Sequence, residues 1–362
     1  MKVTVCTRIP IDTYMGGIAT VLNKYIDNKS MFYENGVDIS LFSWHDEKVE
    51  KIKNSKIRNI LYWKSLWKAS LNYCRNNKPD LFHIHTAREF LFLRDVIIGR
   101  SIARRTGTKC ALTVHVGAIE TVFNRIPKFL HKYLIKSLNR YFCMVFFLSN
   151  RIMESFISKG LNGDKCCVLY NFHDMPLVDS KDNNGVVNLL FVGAIQREKG
   201  IIEVMNAFNL LKNESCEVHL DICGLVNDSS VKKRFDDYCK ENTGTVTVHG
   251  YVTGREKEQL FRSADILLLP SYHEGFPLVV LEAIASRCAI VTTRVGALPE
   301  ILRDENVIWV EIGSTQSLLE ALKRIIEDTA LLRDMQKKNR KLAEEFTLGK
   351  HIQKLCSIYD SL

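Results

Sequence analysis

Residues 264–302 read ADILLLPSYHEGFPLVVLEAIASRCAIVTTRVGALPEIL, and the order of apolar runs and turn residues in that stretch decides the fold. "DILLLPS" and "AIVTTRVG" are short apolar runs closed by Pro, Ser and Gly, the pattern of strands covered on both faces. Between them Pro277 stands where a helix can begin, since proline fits the first helical position at no cost in hydrogen bonds. Strand, loop, helix and strand within forty residues predict two parallel strands joined by a crossover helix. Upstream the same alternation runs through "VNLLFVGA", a helix from about 200 to 212, "VHLDICG", a helix around 231–241, "TVTVHGYV" and a helix near 256–264; downstream it continues to "NVIWVE". The first half repeats it with the strands "KVTVCTRI", "VDISLFSW", "PDLFHIHT", "KCALTVHV" and "CMVFFLSN", separated by helical stretches such as "GIATVLNKYIDNKSMFYENG", "NILYWKSLWKASLNYCRNN" and "NRIPKFLHKYLIKSLNR".

The alternation breaks once, at "NFHDMPLVDSKDNNGVV", where Asp, Asn, Pro and Gly cluster without period. The expected fold is therefore α/β, with two Rossmann-like doubly wound domains facing each other across a cleft. Their expected extents are 1–170 and 186–345, with a linker at 171–185. The last segment, about 331–362, looks helical throughout, and 346–362 is expected to pack back on the first domain. Ligands of such sheets sit at the carboxyl ends of the strands, so the loops there are where chemistry is sought.

Composition bounds the rest. The 362 residues, 46% hydrophobic and 25% charged, suit a folded chain with more than one core. "MKVTVCT" enters a strand directly, without a charged-then-apolar leader, and the longest apolar run, Tyr141–Leu148, is far short of the ~20 residues of a membrane-spanning helix. The eleven cysteines include no C-x-x-C pair and place Cys166 beside Cys167, a pattern of reduced thiols in cytoplasm and not of a disulfide framework or a zinc site. The net charge of +9 is unevenly spread: residues 1–170 carry 27 Lys and Arg against 13 Asp and Glu, and the remainder 23 against 28. The first domain is thus expected to meet an anionic partner. Nucleic acid is not that partner, because the basic residues form no motif of a known reader.

Glu274 lies in the loop before Pro277 and Glu282 more than a turn inside the helix that follows. Between them the free N–H groups of Leu278 and Val279 and the helix dipole make an anion site, and Gly275 lets the backbone turn close beside a ligand. A phosphate there would have an acid on either side, each able to accept from the hydroxyls of a different ring, which is the layout of a nucleotide-sugar. Two isolated glutamates so spaced are more often a loop end and a solvated helix face; it is the register of strands and turns around them that favours the site.

The run "HGYVTGREKEQLFRSADILLLPSYHEGFPLVVLEAIASRCAIVTTRVGALPEIL" resembles the C-terminal signature of the retaining group-1 glycosyltransferases (family 4), whose fold is GT-B. Glu274 and Glu282 match that family's E-x7-E motif, with Phe276 and Pro277 inside it. The resemblance extends through "YMGGIATVL", "LTVHVG", "VLYNFHD" and "FVGAIQREKGI". It implies that Gly16 and Gly17 let a donor diphosphate approach the first domain's backbone, that His115 lies near the reacting sugar, and that Lys199 neutralises the diphosphate leaving group. Without it, Gly-Gly reads as a turn, His115 as a core histidine, and Lys199 as a solvated lysine; His83 and His85 keep the core reading. The family commonly has arginine after the glycine of "VG", where this chain has Ala194, and Arg197 is the nearest substitute. The family asparagine usually followed by glycine is Asn171, here followed by Phe172, so that loop is read as structural.

The resemblance implies a hexosyltransferase that retains anomeric configuration by front-face attack, taking a UDP- or GDP-linked sugar and needing no cofactor. No Asp-x-Asp occurs in the chain, so metal-independent transfer is expected, with protein cations in the metal's place. The expected acceptor is a glycan or a polyprenyl-diphosphate-linked sugar, as in bacterial surface-polysaccharide biosynthesis. Arg125, Lys128, Lys132, Lys136 and Arg140 recur at helical spacing among Phe129, Leu130, Tyr133 and Leu134, a basic amphipathic helix suited to an anionic leaflet. Trp63 and Trp67, each followed by lysine, form a second such patch, though core packing fits them better. The expected location is cytoplasmic, peripheral on the inner face of the plasma membrane. Two other readings share the architecture: a nucleotide-binding regulatory protein that does not transfer sugar, and a sugar-nucleotide epimerase. A dinucleotide oxidoreductase is disfavoured, since no G-x-G-x-x-G follows a predicted strand.

Overall fold

The computed structural model describes residues 1–7, 16–44, 49, 51–87, 90–117, 120–124, 126–181, 185–212 and 217–362. Arg125, the tail of the predicted first strand at Arg8 and Ile9, and residues 182–184 of the predicted linker lie outside the described residues. The chain divides into two compact units, one of residues Met1–Asn171 with Gly349–Leu362, the other of Phe172–Leu348.

The first unit holds six strands, β1 (Lys2–Thr7), β2 (Asp38–Ser43), β3 (Leu81–Thr86), β4 (Lys109–Val114), β5 (Met144–Phe147) and β6 (Cys166–Val168), all parallel, in the order β2-β1-β3-β4-β5-β6. The second holds β7 (Val187–Val192), β8 (Val218–Cys223), β9 (Val246–Gly250), β10 (Ile266–Leu269), β11 (Ala289–Thr293) and β12 (Val307–Val310), also parallel, in the order β12-β11-β10-β7-β8-β9. Each order reverses direction once, between β1 and β3 in the first sheet and between β7 and β10 in the second. At such a reversal the crossovers leave to opposite faces and open a crevice at the strands' carboxyl ends.

Each unit closes its own core. In the second, β10 and β11 are buried along their whole length, and the helix Leu278–Ala285 between them has every residue from Val280 to Ala285 buried. Burying a Leu or Ile side chain contributes about 1.5–3 kcal/mol, so Leu281 and Ile284 alone anchor that helix firmly. Glu282 sits among them, 6% exposed, and a buried carboxylate in an otherwise apolar segment calls for a partner.

Three boundaries differ from the periodicity. Pro277 is the N-cap and Leu278 the first helical residue, so proline stands one position earlier than expected. The predicted single helix after Gly16 is two, Gly17–Asp27 and Lys29–Glu34; Asn28 interrupts it, its amide donating to the Lys24 carbonyl at 2.9 Å. The C-terminal segment is also divided, into Thr329–Ala343, a 3-10 turn at Glu344–Phe346, and Leu348–Asp360. Thr347 is extended there and bridges His173, whose N–H reaches the Phe346 carbonyl at 2.9 Å and whose carbonyl accepts from Leu348 N–H at 2.9 Å.

Candidate active site

The second sheet's reversal places the loop after β7 beside the loop after β10. The first forms a 3-10 turn at Arg197–Lys199, ended by Gly200 at φ 75°, a left-handed conformation that favours glycine. A Cβ on Gly200 would overlap the Pro270 carbonyl, so the two loops touch through backbone. Tyr272 N–H donates to the Glu198 carbonyl at 2.9 Å and ties them again. Across this junction Lys199 Nζ donates to Glu274 Oε1 at 2.6 Å, and Ser271 Oγ donates to the same oxygen at 2.8 Å.

The far side of the acid loop is held by the turn after β11. Gly296, at φ 57°, packs so closely that a Cβ would overlap the Gly275 carbonyl oxygen, which also accepts from Ala297 N–H at 2.9 Å. Phe276 is buried edge-on to Phe346, with ring centroids 6.3 Å apart, and anchors the loop from within. Pro277 then caps the helix; its carbonyl accepts from Val280 N–H at 3.2 Å, while the N–H groups of Leu278 and Val279 find no acceptor among the described residues. Two donors and the positive end of a helix dipole are thus presented together. One turn further on, Glu282 Oε1 accepts from Lys257 Nζ at 2.6 Å, and Oε2 is buried without a hydrogen-bond partner.

Glu274, Lys199, Gly275, Phe276, Pro277, Leu278, Val279 and Glu282 therefore lie along one pair of loops and one helix. Arg197, two residues before Lys199, is exposed, close enough to the Tyr272 hydroxyl for its charge to act on it. That hydroxyl donates to Glu203 Oε1 at 2.8 Å, which raises the phenol's pKa. Ser271, Lys257 and the Tyr272–Glu203 pair were not singled out from sequence; none carries a local signature, since each acquires its partner only through the sheet order.

In the first unit, Gly16 is the extended N-cap (φ −171°, ψ 161°) of the helix Gly17–Asp27. A Cβ on Gly17 would meet nothing within 4 Å, so packing does not demand glycine there and the missing side chain leaves open space. His115 follows β4, its N–H donating to the Thr86 carbonyl at 2.9 Å. Its Nε2 shares a 2.9 Å hydrogen bond with Nδ1 of His85, and the two rings stack at 5.1 Å. His83 is buried with both ring nitrogens paired, to the Tyr359 hydroxyl at 2.6 Å and to Thr113 Oγ1 at 2.7 Å, which makes it a core histidine. Withdrawal from water lowers the His115 pKa to about 4; burial, reinforced by His83, His115 and His351, drives that of His85 well below its ordinary value. Both imidazoles are neutral at physiological pH.

The basic helix spans Lys128–Tyr141. Lys128, Lys132, Lys136 and Arg140 form an exposed stripe with Phe129, which is 78% exposed, while Leu134 turns into the core and Leu130 and Tyr133 are partly covered. Trp67 is a packing residue, its indole N–H donating to Ser101 Oγ at 2.8 Å. No helix among the described residues is long and apolar enough to cross a membrane.

Solved structures share this architecture from end to end. Sucrose-phosphate synthase from Thermosynechococcus elongatus superposes with a TM-score of 0.78 at 16% identity, over 99% of this chain and 98% of that one. Anabaena HepE, in complex with UDP-glucose, does so with a TM-score of 0.73 at 15% identity, over the whole of both chains. The fold is GT-B. In sequence, residues 179–342 match the model of the glycosyl transferases group 1. Among curated relatives, the uncharacterized glycosyltransferase MJ1178 of Methanocaldococcus jannaschii is 23% identical over 85% of this chain and 82% of its own length. The capsular polysaccharide biosynthesis glycosyltransferase CapM of Staphylococcus aureus is 26% identical over 42% of this chain and 40% of its own.

Proposed function

We propose that this protein is a retaining hexosyltransferase that moves a sugar from a UDP- or GDP-linked donor to a glycan or polyprenyl-diphosphate-linked acceptor in bacterial surface-polysaccharide assembly. The observation that carries the reading is the pair of acids around one helix start: Glu274 gripped by Lys199 before it, and Glu282 inside it with one oxygen unpartnered. The donor's diphosphate would take the N–H groups of Leu278 and Val279, Glu282 the ribose hydroxyls, and Glu274 the hydroxyls of the sugar. UDP-glucose in the HepE complex and the polysaccharide role in CapM's name support the donor and pathway class.

Breaking the glycosidic bond leaves positive charge on the sugar and negative charge on the departing diphosphate, so stabilising the separated charge is the enzyme's main task. Lys199 and Arg197 meet the negative side. Retention follows if the acceptor hydroxyl attacks from the face the diphosphate leaves, giving its proton to a phosphate oxygen. The carboxylates are then binding groups and not the acid and nucleophile of a retaining hydrolase. We assign Gly16, Gly17 and His115 of the first unit to the diphosphate and the reacting sugar. The exposed stripe with Phe129 is the face we assign to an anionic membrane, each cation there contributing ~1 kcal/mol.

The test is a thermal-shift panel of nucleotide-sugars, followed by NMR of the product formed with a lipid-linked acceptor. A stabilising donor and a product of unchanged anomeric configuration are expected; an isomerised donor without acceptor would indicate an epimerase, and binding without turnover a regulatory protein. Turnover should persist in excess chelator, and its loss there with recovery only on adding Mg²⁺ or Mn²⁺ would overturn metal independence.

A further inference from the structure

Lys257 belongs to no motif, yet it is the one described cation paired with Glu282. Its Nζ lies 2.6 Å from Glu282 Oε1, its side chain is largely enclosed at 22% exposure, and Nζ also lies 5.8 Å from the Phe261 ring centroid. A lysine held at both a carboxylate and a ring face has one orientation, so the carboxylate it grips has one as well. With Oε1 engaged by Lys257, the oxygen of Glu282 left without a partner is the buried Oε2, which is the acceptor we assign to a ligand. The pairing also has an electrostatic effect. Glu282 is one helical turn, about 6 Å of rise, from the free N–H groups of Leu278 and Val279, and an uncompensated carboxylate at that distance would repel a phosphate bound to them. Neutralised by Lys257, it remains an acceptor without the repulsion.

We infer that Lys257 is a positioning residue for Glu282, and that the pair sets a preference for ribose over deoxyribose at the nucleotide site. This rests on the reading in which Glu282 receives the ribose hydroxyls. Lys257 itself does not touch the nucleotide: it keeps the acid turned so that Oε2 faces the vicinal hydroxyls.

The experiment is calorimetric titration of UDP and GDP, and of their 2′,3′-dideoxy counterparts, into wild type, Glu282→Gln, Lys257→Met and Lys257→Arg. Hydrogen bonds from hydroxyls to a charged acceptor imply that wild type prefers the tighter-binding ribonucleotide over its dideoxy form by about tenfold or more. Lys257→Met should lose most of that preference by weakening the ribonucleotide several-fold more than the dideoxy form, whose smaller loss reflects the unneutralised carboxylate's repulsion of the diphosphate and whose remaining binding shows that the variant is folded. Lys257→Arg should keep most of the preference.

If Glu282→Gln loses the preference while Lys257→Met retains it, Lys257 does not position the acid and the inference fails while the ribose reading stands. If Glu282→Gln itself retains the preference, the ribose reading fails and the inference with it. Equal weakening of both nucleotides by Lys257→Met would assign Lys257 a different role. Wild type binding neither UDP nor GDP would remove the nucleotide site altogether.

Discussion

Replacing Lys199 with methionine separates the structural from the chemical use of its charge. Methionine keeps most of the side chain's length and apolar contact, so the change removes the cation and little else. In the folded protein Glu274, 9% exposed at its side chain, then retains Ser271 Oγ as its hydrogen-bond donor and loses a 2.6 Å ion pair. Two unit charges 4 Å apart attract by about 4 kcal/mol at an effective dielectric constant of 20, and removing one partner of a fully buried pair costs about 3–5 kcal/mol. Lys199 is 24% exposed, so water screens part of this and a stability loss of about 1–2 kcal/mol is expected. The catalytic effect should be larger. On the proposed reading Lys199, held at Glu274 beside the helix start, is the principal cation for the leaving diphosphate, with the exposed Arg197 as the alternative. Losing such a group costs about 10²–10³ in kcat, or roughly 3–4 kcal/mol of barrier. Release of nucleoside diphosphate at saturating donor, well below the variant's unfolding temperature, measures that loss, and urea unfolding measures the other. A kcat within threefold of wild type would refute the assignment, and Arg197→Met showing the larger loss would transfer the role to Arg197.

Gly17→Ala should leave stability within about 0.5 kcal/mol, because nothing lies within 4 Å of the new methyl group, yet lower kcat/KM for donor by about tenfold; unchanged kinetics would mean that no ligand uses that space. Gly296→Ala forces a left-handed backbone on alanine and drives its methyl into the Gly275 carbonyl, so about 2–3 kcal/mol of stability and most of the activity should go; a variant as stable and active as wild type would contradict the packing of that turn. On acidification the first unit should weaken: burial lowers His115 to about 4 and His351 to about 3, so below the unfolded value near 6.5 only the unfolded chain takes up these protons. Each such histidine then removes about 1.4 kcal/mol per pH unit, down to its folded pKa, where the effect ends. Urea midpoints followed by tryptophan fluorescence report this, since Trp44, Trp63 and Trp67 are in the first unit and Trp309 in the second; equal midpoints at pH 7 and pH 5 would rule it out.

Residues adjacent in sequence carried most of what could be read beforehand. The E-x7-E spacing, the proline that starts the helix and the glycine after the first acid are contiguous, and their effects are set by the local backbone. The interruption at Asn28 and the break at Thr347 were not legible, because each depends on a bond to a group whose availability periodicity does not reveal: the Lys24 carbonyl four residues back, and the backbone of His173. His85 was read as a core residue, and its pairing with His115 appears only once β3 and β4 are neighbours. Leu130, Tyr133 and Leu134 were counted on the basic helix's apolar side, but only Phe129 projects prominently, since the others cover the core.

The sequence by itself determined the alternation of strands and helices, the division into two doubly wound halves and the two acids around one helix start, because these follow from hydrophobic period, turn chemistry and short-range spacing. Tertiary structure decided which charges meet. Lys199 lies 75 residues from Glu274 and Lys257 lies 25 from Glu282, and both pairs close to 2.6 Å only because β7 and β10 are neighbours at the reversal of the sheet and the helix Gly254–Ser263 lies beside the buried acid. Strand order is set by the burial of whole faces, a property of the assembled sheet that no single stretch of the chain contains.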